Sequence, residues 1–189
     1  MKKTLVVNLL GGAGVGKSTL ACKTFALLKE KGLDCELVLE YVKDMVYEGR
    51  SEIFKCQPYI FGKQLFKIFR INGKVDVIIT DRPIFLDIVY DEENDKNFRE
   101  YVLKQFNKFN NLNIYLNRTV SYQTNGRLQD EEEAIKYDTK VKYWLNELQV
   151  PYFDIDVDKD SSNKILESII SRLIVDKIYE TQTKISVDK

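Results

Sequence analysis

The stretch that most constrains this chain is residues 6–25, VVNLLGGAGVGKSTLACKTF. A near-continuous apolar run over residues 4–10 breaks into glycines at 11, 12, 14 and 16, and Lys17, Ser18 and Thr19 then open a helical pattern. An apolar run without alternation suits a strand covered on both faces, which requires helices on either side of a parallel sheet. The glycines permit backbone conformations closed to other residues, so that successive N–H groups turn toward one centre. The helix opening at Lys17 adds the positive end of its dipole at the same place.

Residues 11–18 match G-x-x-x-x-G-K-[ST] in full, with a strand before and a helix after. The loop reads as a cradle for polyphosphate. Gly11, Gly12, Ala13, Gly14, Val15 and Gly16 supply its backbone, and Lys17 reaches the outer phosphates. The Ser18 hydroxyl ligates Mg2+, and Thr19 caps the helix or contacts an inner phosphate. The implied ligand is a nucleoside triphosphate, taken as ATP. Adenine or guanine preference stays open, the donor base being placed near residues 158–162.

Strand and helix patterns alternate through the remainder. Strands are predicted at 35–40, 75–81, 112–117 and 152–156, and helices at 17–31, 58–69, 95–109, 131–148 and 162–178, with a shorter helical stretch through Met45 and Val46. The expected fold is α/β: a five-stranded parallel sheet between two helical layers, a three-layer sandwich. At 189 residues the chain suits one domain, assigned to residues 1–180, with a polar tail at 181–189.

Composition removes several function classes. Lys+Arg and Asp+Glu are both 29, so no overall basic field draws the protein to nucleic acid or to a membrane. Cys22, Cys35 and Cys56 form no CxxC pair and suit reduced thiols, and no stretch is apolar long enough to span a bilayer. A cytoplasmic location is expected. Oligomeric state is not legible.

The strand ends decide what the triphosphate is for. The strand at 75–81 ends in Asp81 and Arg82, where a motor ATPase carries Asp-Glu, and no Asn-Lys-x-Asp reads guanine. Phosphoryl transfer to an acceptor fits better, because ligands of open α/β sheets lie beyond the carboxyl ends of the strands. Glu40, Asp81 and Arg82 fall there. With no histidine in the chain, Glu40 is the first choice for a base taking a proton from a hydroxyl acceptor, and Asp81 for holding magnesium, although these two roles are interchangeable at this stage. Arg82 favours a phosphate-bearing acceptor or the transferring group. Residues 118–130 read as a lid carrying Arg118 and Arg127, whose planar forks suit phosphate oxygens, ahead of an acidic helix start. Tyr41, Tyr59 and Gln64 are candidate acceptor contacts in an aromatic-rich segment.

The combination GGAGVGKST, LEYVKDMVYEG, VDVIITDRP, LNR and GRLQDEEEAIKYD resembles the small AAA-type P-loop kinases of bacteriophages. These are relatives of the nicotinamide riboside kinase domain of bacterial NAD-biosynthesis regulators and of deoxynucleoside and thymidylate kinases. The likeness covers about residues 4–157, and only the P-loop is specific by itself. It implies a nucleoside- or nucleotide-kinase-like fold, Glu40 and Tyr41 beside the acceptor, Asp81 near magnesium, and Arg118 and Arg127 in the lid. It also implies the host cytoplasm as location for a phage-encoded chain. DRP departs from the Asp-Ser-Pro and Asp-x-Asp versions toward the Asp-Arg of nucleotide kinases. Three functions follow as expectations. The first is an ATP-dependent kinase for a nucleoside-like or nucleotide small molecule. The second is a kinase acting on polynucleotide, at a strand end or on a hydroxymethylated DNA base, with a basic groove from Lys55, Lys63, Lys67 and Arg70. The third is a nucleotide-dependent switch ATPase without an acceptor.

Overall fold

The computed structural model describes residues 3–119 and 130–187. Five strands, β1 (Leu5–Leu10), β2 (Cys35–Val38), β3 (Val77–Thr80), β4 (Asn110–Asn117) and β5 (Phe153–Asp156), form one sheet in the order β2-β3-β1-β4-β5. Every pairing is parallel, with Leu5 beside both Val77 and Asn110 and Cys35 beside Val77. The P-loop strand β1 is therefore central and wholly buried, which explains its apolar run, interrupted only by the buried Asn8.

The pleat sorts the strand side chains into two cores. Leu5, Val7 and Leu9 join Val77, Ile79, Ile114 and Leu116 beneath α1 (Lys17–Glu30) and α7 (Ser161–Val187). Val6 and Leu10 face the other way, with Ile78 and Tyr115. That second layer is closed by α3 (Gln57–Phe69), α4 (Leu86–Tyr90), α5 (Lys96–Phe106) and α6 (Glu131–Glu147), which contribute Phe61, Leu86, Phe106 and Val141. A short helix α2 (Val42–Tyr47) leads from β2 toward α3. The three-layer α/β arrangement with five parallel strands is the architecture the sequence predicts.

Two differences from the sequence reading have plain causes. The run FLDIVY contains α4, which no pattern assigned, because an apolar segment of five or six residues carries too little period to declare itself. α7 continues to Val187 through the stretch read as a polar tail, since residues 161–187 contain neither glycine nor proline to stop it. Strand β2 ends at Val38, so Glu40 stands two residues beyond it, while Asp81 directly follows β3. Both carboxylates thus rise from the carboxyl edge of the sheet on neighbouring strands. No described helix is long and apolar enough to cross a membrane.

Candidate active site

The loop between β1 and α1 takes the conformation its glycines allow. Gly16 at the helix N-cap has φ +104°, a region that L side chains rarely adopt. Gly12 is required for a different reason: a Cβ there would lie 2.5 Å from the Ala134 carbonyl oxygen and 2.8 Å from Asp138 Oδ1. The loop is thus pressed against α6. Lys17 Nζ donates to the carbonyls of Gly11 (2.8 Å) and Gly12 (2.7 Å), folded back over the loop. Desolvation lowers its pKa to about 8, against the pull of the nearby carboxylates Glu40, Asp81 and Asp138.

On the β2–β3 side the residues lock one another. The Glu40 N–H donates to Asp81 Oδ1 at 2.8 Å, so the two strand ends are joined at the site itself. Arg82, with a side chain only 5% exposed, lies 3.4 Å through Nε from Glu40 Oε1 and 3.0 Å through a terminal nitrogen from Asp87 Oδ1. Gln57 Nε2 donates to the same Asp87 oxygen at 2.7 Å, and the Tyr90 ring lies under the guanidinium, 4.9 Å away. Burial pushes the Asp87 carboxyl up to about 6 even with Arg82 opposing. Tyr90 in turn packs on Tyr137 of α6, ring centroids 4.7 Å apart.

A second clamp holds the P-loop from above. Asp138 accepts from the Gly12 N–H at 2.5 Å with one oxygen and from Arg118 Nε at 2.8 Å with the other. Arg118 also donates to the Ala13 carbonyl at 2.7 Å. The end of β4, the P-loop and α6 therefore meet in one charge-assisted network.

The structure brings Lys17, Glu40, Asp81, Arg82 and Arg118 together around the loop Gly11–Ser18. Arg127 lies outside the described residues, as does most of the lid segment. Thr19 is exposed on the first turn of α1. Tyr41 and Tyr59 meet through their hydroxyls at 3.1 Å, with Lys63 Nζ over both rings. Gln64 is fully buried, accepting from the Tyr41 N–H at 3.3 Å and donating to Thr80 Oγ1 at 3.4 Å, so it braces the turn that carries Glu40.

Sequence reading missed Asp138, Asp87 and Gln57. The signal for Asp138 was present: Ala134, Val141 and Leu145 are the buried positions of α6, and residue 138 lies on the same stripe, four after the first and three before the second. A carboxylate on a core-facing stripe needs partners, and here it has the P-loop and an arginine.

The residues suit magnesium, a hard cation that takes oxygen ligands. The Ser18 hydroxyl is half-buried at the start of α1, and Asp81 offers Oδ2 because Oδ1 is taken by the Glu40 N–H.

A family model described as an AAA domain matches residues 6–161. The fold is shared with deoxyadenosine kinase from M. mycoides, solved with dCMP and a flexible dCDP bound. That protein is 20% identical, with 90% of this chain and 99% of that chain covered and a TM-score of 0.52. The NadR protein in complex with NR is 15% identical, with 84% of this chain and 46% of that chain covered and a TM-score of 0.55. This chain spans just under half the length of that second protein. No curated protein sequence matches the chain.

Two outcomes follow from the geometry. Lys17 with a pKa near 8 is charged at pH 7 in the free protein and largely neutral at pH 9, whereas bound phosphates favour its charged form. Nucleotide affinity should therefore fall by about tenfold between pH 7 and pH 9 with uptake of up to one proton per nucleotide, both read by titration calorimetry in buffers of different ionisation heat. The Lys17→Arg variant, charged throughout, should lose that pH dependence. Asp138→Ala frees the Gly12 N–H and the Arg118 fork, and should weaken ATP binding by about tenfold in the same calorimeter. An unchanged affinity would show that the loop holds its shape without α6.

Proposed function

The chain belongs to the AAA-domain family, and on that premise we propose that it transfers the terminal phosphoryl group of ATP to a hydroxyl of a nucleoside-like acceptor. The observation that carries this reading is the placing of Glu40 on the buried Arg82, beside Asp81 and facing the P-loop lysine. A base for a neutral hydroxyl must be a fixed acceptor near the donor phosphates, and Glu40 meets both conditions.

Arg82 supports a hydroxyl rather than a phosphate acceptor. Its guanidinium is enclosed by Asp87, Glu40 and the Tyr90 ring, so its charge is already met by two carboxylates. Its work is to orient Glu40. Glu40 takes the proton of the acceptor hydroxyl, the oxygen attacks the terminal phosphorus, and ADP departs as the bond to its bridging oxygen breaks. Lys17 and the loop N–H groups hold the outer phosphates, and Arg118 keeps the loop in shape through the Ala13 carbonyl. Ser18 and Asp81 are the residues to hold magnesium, which supplies charge neutralisation across those phosphates when bound. Tyr41 and Tyr59 provide the aromatic wall on the acceptor side. Arg127, in the lid expected from the sequence, is the further arginine proposed for the transferring group.

The test is transfer of labelled phosphate from ATP with magnesium to nucleosides and, in parallel, to nucleoside monophosphates. Labelled nucleoside monophosphate, formed from the nucleoside, is the expected product. The Glu40→Gln variant should lower kcat by about 10²- to 10⁴-fold with ATP affinity unchanged. Hydrolysis of ATP that no acceptor accelerates would replace this reading with the switch ATPase, and labelled diphosphate formed from an offered nucleoside monophosphate would assign Arg82 the larger role.

A further inference from the structure

We infer that the outer face of α3 is a platform for single-stranded polynucleotide, which presents the acceptor nucleoside to the site as part of a strand. The inference rests on the kinase reading for its chemistry but not for its binding surface. Tyr59, Lys63, Phe66 and Arg70 follow one another at spacings of four, three and four residues, which places all four on one stripe running from α3 to its C-cap. Aromatic and cation alternate along it. Phe66 is 63% exposed and Phe69, on the flank of the same stripe, 68%, so among the described residues no element covers them.

Charge on this face is one-sided. Residues 57–74 carry Lys63, Lys67, Arg70 and Lys74 and no acidic residue, in a chain whose formal net charge is zero. Among the described residues, neither Lys63 nor Arg70 pairs with a carboxylate. Lys67 turns inward, donating to the Leu39 carbonyl at 2.9 Å, next to Glu40.

The stripe also runs beside the proposed base: Tyr59 meets Tyr41 hydroxyl to hydroxyl, Gln64 accepts from the Tyr41 N–H, and Lys67 reaches the Leu39 carbonyl, so α3 flanks the turn that carries Glu40. From Tyr59 to Arg70 it covers about 16 Å, room for roughly five nucleotides at duplex-like spacing. Exposed rings stack on bases of any sequence while cations between them meet phosphates, the combination by which single strands are held without base-specific readout.

The experiment is equilibrium binding of fluorescein-labelled dT12 by anisotropy, without ATP, across a salt series, alongside phosphoryl transfer to free thymidine and to dT12. The wild type should bind dT12, and Phe66→Ala should weaken binding by about tenfold. Arg70→Gln should lower the slope of log affinity against log salt by about 0.7. Both variants should leave transfer to the free nucleoside unchanged, since neither residue belongs to the catalytic cluster. No binding by the wild type, or binding indifferent to both variants, overturns the platform. So does a wild-type dimer that Phe66→Ala dissociates, which would make the face a self-interface. Binding of dT12 that persists in Lys17→Ala while transfer is lost upholds the platform separately from the chemistry. Binding in a wild type that phosphorylates nothing upholds it and overturns only the kinase reading.

Discussion

The buried guanidinium of Arg82 is the constraint around which the acceptor half of the site is arranged. A cation with a side chain 5% exposed cannot be left uncompensated, and stripping a partner from such a pair costs about 3–5 kcal/mol. Asp87 and Glu40 meet the charge, Tyr90 lies under it, and Gln57 holds Asp87 in turn. These partners come from three segments, α4, the start of α3 and the turn after β2, so the short helix α4 and the start of α3 are positioned by the same group that orients Glu40. The carboxylate proposed as the base is fixed as a by-product of solving a burial problem, which is how a strand-end glutamate becomes a pre-oriented one.

The donor half solves a similar problem through Asp138. Its two oxygens join the Gly12 N–H to Arg118, and Arg118 reaches the Ala13 carbonyl, so the loop is held by α6 as well as by its own strand and helix. Helix α6 also carries Tyr137, which stacks on Tyr90 beneath Arg82. Both clamps therefore converge on neighbouring residues 137 and 138. A shift of α6 would be felt by the phosphate loop and by the acceptor base together. The helix is fixed at its start by a capping box between Asp130 and Glu133, so its N-terminus is set by local chemistry alone.

The sheet was legible because buried parallel strands and the glycine loop write themselves into consecutive residues: residues 4–10 are apolar apart from Thr4 and Asn8, and the motif from Gly11 to Ser18 is complete. Glu40, Asp81 and Arg82 were legible as strand-end residues for the same reason. Asp87, Gln57 and Asp138 were hidden because their partners lie 5, 30 and 126 residues away, and no local period records a pairing made through space. Gln64 shows the converse: a polar residue in an aromatic segment invites a ligand, yet its buried amide is spent on the Tyr41 N–H and Thr80. The exposed stripe on α3 was visible in outline as Lys63, Lys67 and Arg70. Only the fold shows that Lys67 turns in toward Leu39 while Phe66 stays out in solvent.

These placements divide the labour of charge in the molecule. Inside the site each cation is met: Arg82 by two carboxylates, Arg118 by Asp138, and Lys17 by loop carbonyls within the field of three acids. A neutral acceptor group is therefore the one that enters without disturbing the balance, and an acceptor phosphate would have to displace Glu40 from Arg82. Among the described residues, cations without carboxylate partners are found instead on the rim, at Lys63 and Arg70, interleaved with exposed rings. On the proposed reading, with cations spent inside the site and offered beside it, the arrangement favours a hydroxyl carried on a molecule whose phosphates lie elsewhere along its length.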